Sequence, residues 1–280
     1  TIQRERPGTK SLVVLQGDDV FYNSLVEPYR ELALNELRRL AQLADGFLVH
    51  SLDYRQRMSK LLSVSESKFV VSPLTIDADD LLDITRPAEN SRPVAIGFLA
   101  RLAPEKGLHL LVDAFIELAK TEEFSSVRLE IAGWLGKQNE QYWTQQQDKL
   151  LRAGLDAHYR YWGSVDRQQK KQFLTSIDLL SVPTSYADPK GLFALEAMAA
   201  GVPFLLPAHG AFPELYQQSA AGRLHQPESV TDLTRSLADM LRDTGQTRKL
   251  GQQGREYVRT SATSDREASI IEQFLATCQG

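Results

Sequence analysis

The sequence predicts an α/β protein whose larger part is a doubly wound parallel sheet. Two observations carry that prediction. From Pro93 onward, short apolar runs alternate with amphipathic helical segments, the pattern of a parallel sheet covered by helices. Residues 183–207, P-T-S-Y-A-D-P-K-G-L-F-A-L-E-A-M-A-A-G-V-P-F-L-L-P, then read as loop, helix, turn and strand, the unit from which such sheets are built. A chain of 280 residues has room for one large domain or two modest ones.

Taken in order, residues 1–10 are charged and carry Pro7 and Gly8, which is loop chemistry. Residues 11–16 (S-L-V-V-L-Q) form a strand followed by Gly17, Asp18 and Asp19. Two acids after a strand end fit a metal or hydroxyl site, or else a turn or helix cap. Residues 27–44 form a helix with Leu32, Leu37, Leu40 and Ala44 on one face and Arg30, Arg38 and Arg39 interspersed. Residues 46–50 are a buried strand ending in His50, a candidate acid, base or acceptor contact, or else a structural histidine. Residues 53–62 are a basic amphipathic helix. Its Arg55, Arg57 and Lys60 are either solvated or turned to anionic lipid. A strand at 68–72 leads to P-L-T-I-D. Residues 77–90 lack apolar periodicity and read as an interdomain linker.

Beyond the linker, strands are expected at 94–99, 127–132, 159–162, 179–182, 202–206 and 222–225. The helix at 105–120 turns Leu108, Leu111, Phe115 and Leu118 inward, and the one at 230–241 turns in Leu233, Leu237, Met240 and Leu241. A last helix at 265–277 carries Ile270, Ile271, Phe274 and Leu275. Ligands of such sheets lie beyond the carboxyl ends of the strands. No G-x-G-x-x-G follows the strand at 94–99, which counts against a dinucleotide cofactor.

Composition removes several function classes. The net charge is −4 with both signs mixed, so nothing points to nucleic acid. A lone Cys278 excludes an internal disulfide and multi-cysteine metal sites, and fits a reducing compartment. No apolar run approaches the length of a membrane span.

Two clusters carry chemistry. The helix opened by Gly191 and closed by Gly201 and Pro203 presents amides and the positive end of its dipole to a loop, which suits a phosphate. Glu196 is the one charge in its Ala, Leu and Met surroundings. A buried carboxylate needs partners, and ribose hydroxyls would serve; the alternative is a glutamate on an exposed stripe. In the second cluster, G-F-L-A-R-L-A-P-E-K-G at 97–107, Arg101 and Lys106 flank Pro104 at the start of a helix. Two cations there oppose the dipole. A bound anion would account for them, as would simple solvation.

These residues resemble a known family. D-P-K-G-L-F-A-L-E-A-M-A-A-G-V-P is similar to the signature of retaining glycosyltransferases with the GT-B fold, glycosyltransferase family 4 (glycosyl transferases group 1). Asp188 and Glu196 hold the family's two carboxylate positions, and Gly191 and Leu192 match between them. The family usually has Glu at the first position, followed by Gly-Phe; here Asp188 precedes Pro189 and Lys190. A-R-L-A-P-E-K-G matches the family's G-R-L-x-x-x-K-G. The resemblance implies that Arg101 and Lys106 hold the donor diphosphate, Glu196 the ribose and Asp188 the donor sugar. It implies further donor contacts from Gly97, Gly133, Gly163, Gly191, Leu192 and Phe193. Trp162, beside Gly163, is either core or a stacking surface for the base. His209 to Glu214 parallels a G-G-x-P-E run, with Ala211 in place of the second Gly. Lys170 and Lys171 are expected on a solvated helix face.

The implied activity is transfer of a sugar from a nucleotide diphosphate sugar, with retention, to a carbohydrate, lipid-linked or small-molecule acceptor. The donor is a co-substrate, and neither a cofactor nor a metal is required. Other GT-B enzymes (a nucleotide-sugar epimerase or a phosphorylase) and a non-catalytic nucleotide-sugar-binding module are the alternatives. The resemblance divides the chain into 1–85, the later part of an acceptor-side domain with His50 and Asp18 as acceptor-side residues; 86–262, the donor-binding domain; and 263–280, a helix crossing back to the first domain. The expected location is cytoplasmic, or peripheral to a membrane. With three strands before residue 80 and no initiator Met, the chain is expected to lack the start of its first domain. It is then expected to expose apolar surface, to bind a nucleoside diphosphate and to transfer no sugar alone.

Overall fold

The structure is a computed structural model that describes residues 9–17, 19–88 and 92–277. It divides into two compact units. The first holds the chain up to Thr75, the tripeptide Asp188–Lys190 and the chain from Ser261; the second holds Ile76–Ala187 and Gly191–Thr260.

In the first unit, β1 (Leu12–Val14), β2 (Gly46–Val49) and β3 (Phe69–Val71) pair in parallel in that order. Leu12 lies opposite Gly46, and Val49 opposite Val71. All four residues of β2 are buried, and Phe47 stacks on Phe69 with ring centroids 4.9 Å apart. The helices α1 (Asp19–Asn23), α2 (Tyr29–Ala41) and α3 (Leu52–Leu62) follow. Ser51 caps α3 by accepting from the amide of Tyr54 at 3.2 Å. Tyr54, Met58 and Leu62, one helical turn apart, enter the core with Phe47 and Phe69.

Two expectations change here. Leu32, Leu37 and Leu40 of α2 are 61, 41 and 46% exposed, and only Ala41 of the helix is buried. The apolar stripe is present in sequence, but the described core of this unit closes on α3 and the sheet instead. The basic face of α3 is not an open positive stripe, because Arg55 pairs with Glu66 at 3.0 Å and Arg57 with Asp53 at 2.8 Å and Asp19 at 3.0 Å. Asp19 opens α1 and also accepts from the Tyr54 hydroxyl at 3.0 Å, so it braces the unit. Asp18 lies outside the described residues.

In the second unit, β4 (Ala95–Leu99), β5 (Arg128–Ala132), β6 (Tyr159–Tyr161), β7 (Leu179–Ser181), β8 (Phe204–Pro207) and β9 (Gly222–His225) form one parallel sheet. Its order is β6-β5-β4-β7-β8-β9. The order reverses between β4 and β7, so the loops leaving those two strands flank the crevice in which doubly wound folds bind ligands.

The helices are α4 (Asp79–Leu82), α5 (Leu108–Ala119), α6 (Glu140–Arg152), α7 (Arg167–Ser176), α8 (Leu192–Ala199), α9 (Phe212–Ser219), α10 (Val230–Arg242) and α11 (Thr244–Ser261). In α5, Leu108, Leu111, Val112, Phe115 and Leu118 are buried, as a 3.6-residue period requires. Asp166 and Gln169 form a reciprocal capping box on α7. Every residue of α8 after Leu192 is buried, so this helix runs through the interior. Residues 77–90, expected as linker, contribute α4, which packs on α8, and the buried Leu81 and Ile84. Two apolar residues three apart are too short a pattern to register as periodicity.

The last helix, α12 (Ser264–Thr277), belongs to the first unit. Phe274 lies against Gly46, and the Thr75 hydroxyl donates to Glu267 at 2.6 Å. Among the described residues no helix is long and apolar enough to cross a membrane.

Candidate active site

The loop after β4 is fixed by two backbone bonds to the end of β5: Ala100 N to Ala132 O at 3.1 Å and Leu102 N to Trp134 O at 2.9 Å. Leu102 and Ala103 are buried, which turns Arg101 outward. Pro104–Lys106 makes one turn of 3-10 helix, and Gly107 follows at φ +76°. A Cβ on Gly107 would collide with the Pro183 carbonyl, so glycine here lets the loops after β4 and β7 touch. The Ser185 amide completes the junction by donating to Glu105 O at 3.0 Å.

That junction positions Lys106. Its ammonium donates to the Tyr186 hydroxyl at 2.6 Å and lies 4.8 Å from the Tyr186 ring centroid and 5.8 Å from that of Phe193. Phe193 is in the first turn of α8, packed on Phe212 at 5.9 Å. Thr184 steadies the loop by donating to Tyr186 O at 3.0 Å. Its single hydroxyl proton is thereby used, so His209 Nε2, at 3.1 Å, carries a proton and donates to it. Arg101 pairs with Glu105, four residues on in its own loop, at 3.2 Å. Leu192 is exposed at the start of α8.

Gly133 and Gly163 are neighbours: the Gly133 amide donates to Gly163 O at 2.9 Å, and the Tyr161 hydroxyl donates to Gly133 O at 2.9 Å. Gly133 has φ +149°, and a Cβ there would collide with the Ala100 carbonyl. Gly97 lies elsewhere. It is buried in the middle of β4 against Ile177, two residues short of the carboxyl end, where it packs the helix layer onto the sheet. Trp162 is built into the scaffold. Its N–H donates to Glu130 at 2.7 Å, Arg160 stacks 3.7 Å from its ring, and Phe173 meets it edge-on. The open indole at this end of the sheet is Trp134, 51% exposed beside Gly133.

Glu196 is buried inside α8 and is held by an ion pair from Lys170 Nζ to its Oε1 at 2.6 Å. Lys170 is therefore not on a solvated face. The sequence did carry a signal: Lys170 stands one turn before the buried Phe173 and Leu174 on α7, at the edge of the stripe that meets the core. Lys171 does point outward, 3.8 Å from Asp80.

Asp188 and His50 lie in the first unit. Asp188 is buried and accepts from the Lys190 amide at 3.0 Å. Its tripeptide is anchored by Ser51 Oγ donating to Pro189 O at 3.2 Å and by Lys190 Nζ donating to Gln16 at 3.1 Å. His50 Nδ1 faces the Ser72 carbonyl at 3.2 Å. Burial holds its imidazole below the usual histidine range, with the Ser72 bond opposing, so near pH 7 it is neutral, with Nδ1 protonated.

The family model for glycosyl transferases group 1 matches residues 82–257, more than half of the chain. The chain belongs to the glycosyl transferases group 1. A D-inositol 3-phosphate glycosyltransferase of Corynebacterium efficiens is 28% identical over 192 residues, covering 66% of this chain and 44% of that protein. Mannosylfructose-phosphate synthase of Agrobacterium fabrum is 26% identical over 183 residues, 65% of this chain and 39% of that one. The matches thus span less than half the length of these curated relatives. Among solved structures, sucrose-phosphate synthase from Thermosynechococcus elongatus superposes with a TM-score of 0.77 at 20% identity, covering 99% of this chain and 69% of that one. Anabaena HepE, solved with UDP and glucose, gives 0.72 at 20% identity over 88% of this chain and 67% of that one. The fold is that of the GT-B glycosyltransferases.

Proposed function

We propose that this chain binds a nucleotide diphosphate sugar as the donor half of a retaining glycosyltransferase of family 4. The observation that carries the reading is Lys106, held by Tyr186 within 5.8 Å of the Phe193 ring in the first turn of α8. A cation is thereby fixed beside amides that have no carbonyl to bond within their own helix. Such a pairing suits a diphosphate and costs free energy without one.

As the bond from the sugar to the diphosphate breaks, negative charge builds on the leaving oxygen. Lys106, Arg101 and the start of α8 take it up, as preorganised groups that do not have to reorient during the reaction. Glu196 accepts from the ribose hydroxyls. Lys170 bonds Oε1, which leaves Oε2 for the ribose. Asp188 contacts the donor sugar. Both carboxylates are used in binding, and neither acts as the nucleophile or acid of a glycoside hydrolase pair. Retention of configuration rests on the likeness of the 188–203 motif to family 4. UDP is the first nucleotide to test, because HepE, of the same fold, was solved with it.

The assignment predicts a split between two variants in titration calorimetry. Glu196→Gln should weaken the free nucleoside diphosphate and the nucleotide sugar alike. Asp188→Asn should weaken only the nucleotide sugar. Equal losses for both ligands in Asp188→Asn would contradict its contact with the sugar.

A further inference from the structure

Lys106 and Tyr186 stand 80 residues apart in sequence, yet their backbones are locked together beside the point where their side chains meet. The amide of Ser185, the residue before Tyr186, donates to the carbonyl of Glu105, the residue before Lys106, at 3.0 Å. The Lys106 amide donates to Ala103 O at 3.0 Å, and the Gly107 that follows lies against the Pro183 carbonyl. On the other side, Thr184 bonds twice within its own loop, by its amide to Val182 O at 2.9 Å and by its hydroxyl to Tyr186 O at 3.0 Å. His209, in the loop after β8, donates to that hydroxyl. The loops after β4, β7 and β8 thus converge on one contact.

The contact itself has two parts. The Lys106 ammonium donates to the Tyr186 hydroxyl at 2.6 Å and lies 4.8 Å from the centroid of the same ring. A hydroxyl and an aromatic face orient an ammonium without cancelling its charge. Orientation matters because a lysine stem is long and flexible. A free one has to be immobilised when an anion binds, and the lost side-chain freedom is subtracted from the affinity. Phe193, 5.8 Å from the ammonium, marks where the ordered charge lies, at the first turn of α8. In the sequence Tyr186 stands in the loop P-T-S-Y-A-D-P-K with nothing to single it out.

We propose that Tyr186 is a positioning residue of the donor site, which keeps the Lys106 ammonium ordered at the start of α8 before a diphosphate arrives. Tyr186 acts through Lys106 and not on the ligand. This role rests on the reading of the site as a diphosphate site.

The test is a double-variant cycle in titration calorimetry on the full chain, with UDP, GDP and ADP as probes and the tightest of the three used for the cycle. Tyr186 is half-buried. Tyr186→Leu, which removes ring and hydroxyl, should bind about threefold to tenfold more weakly, the cost of ordering one long side chain on binding. Its urea midpoint should stay close to that of the wild type. Tyr186→Phe keeps the volume of the ring and should lose only part of this affinity. In a Lys106→Ala background neither substitution should weaken binding further by more than about twofold, because no ammonium is left to hold. Wild-type or tighter affinity in every folded Tyr186 variant would overturn the proposal and leave the diphosphate site standing. So would an equal loss with and without Lys106, which would mean that Tyr186 touches the nucleotide itself or only supports the fold. Failure of the wild-type chain to bind any of the three nucleotides would overturn the diphosphate reading, and the role of Tyr186 with it.

Discussion

Removing the Lys170 ammonium is the sharpest test of how Glu196 is held. The pair is 2.6 Å long, with side chains 23 and 11% exposed. At an effective dielectric of about 20, the gross attraction at that distance is about 6 kcal/mol, most of it offset by the cost of taking both ions from water. Lys170→Met leaves the carboxylate buried without its cation. A fully buried pair broken in this way costs about 3–5 kcal/mol; because Lys170 retains some water, about 2 kcal/mol is expected here. That corresponds to a fall of about 4–8 °C in Tm for a unit of this size. The assay is urea unfolding of Lys170→Met, Glu196→Gln and the double variant. Once the carboxylate is neutral the ammonium has less to bond, so the double variant should be more stable than the sum of the single losses allows, by at least about 1 kcal/mol. Additivity within about 0.5 kcal/mol would refute the reasoning, because it would mean that the two side chains do not share an interaction in solution.

Three further outcomes follow from the same geometry. In a complete transferase containing this chain, Arg101→Ala should slow sugar transfer by about 10²–10³ with little change in urea midpoint, as loss of one charge-stabilising group does; near wild-type turnover would remove Arg101 from the site. Gly133→Ala should cost about 3 kcal/mol or more, because the new methyl meets the Ala100 carbonyl at a φ of +149°; an unchanged thermal midpoint would contradict the close approach of the β4 and β5 loops. His50, His109 and His225 are all held below the ordinary histidine value of about 6.5, in each case chiefly by burial. The unfolded chain therefore binds protons more readily as pH falls through 6.5, and stability should decline in that window and be regained above it. A urea midpoint that holds steady or rises from pH 7 to pH 5.5 would contradict this.

All nine described strands lie within or beside the apolar runs that name them in the sequence; those buried throughout, such as β4 and β7, need a short continuous apolar run and little else. The strand order is not local information. That β4 lies between β5 and β7 follows from how the helices cross the sheet, and it is this reversal that makes the loops at Arg101 and Tyr186 neighbours. Lys170 was hidden for a similar reason. In a run of Arg, Gln and Lys it looks like any solvated cation, and its partner is 26 residues away. Gly97 carries a packing role that its place in a glycine-bearing motif does not reveal: Ile177 occupies the space a side chain there would need. The stripe of α2 is apolar in sequence and exposed in the fold, because periodicity reports which residues share a face and not what covers it.

The central claim is that Lys106 and the start of α8 form a diphosphate site, and titration calorimetry with UDP, GDP and ADP tests it most directly. The account predicts one-to-one binding of at least one of these nucleotides to the wild-type chain, and a loss of about tenfold or more in Lys106→Ala with the urea midpoint preserved. Wild-type nucleotide affinity in a folded Lys106→Ala, or no binding of any of the three to the wild-type chain, would contradict it.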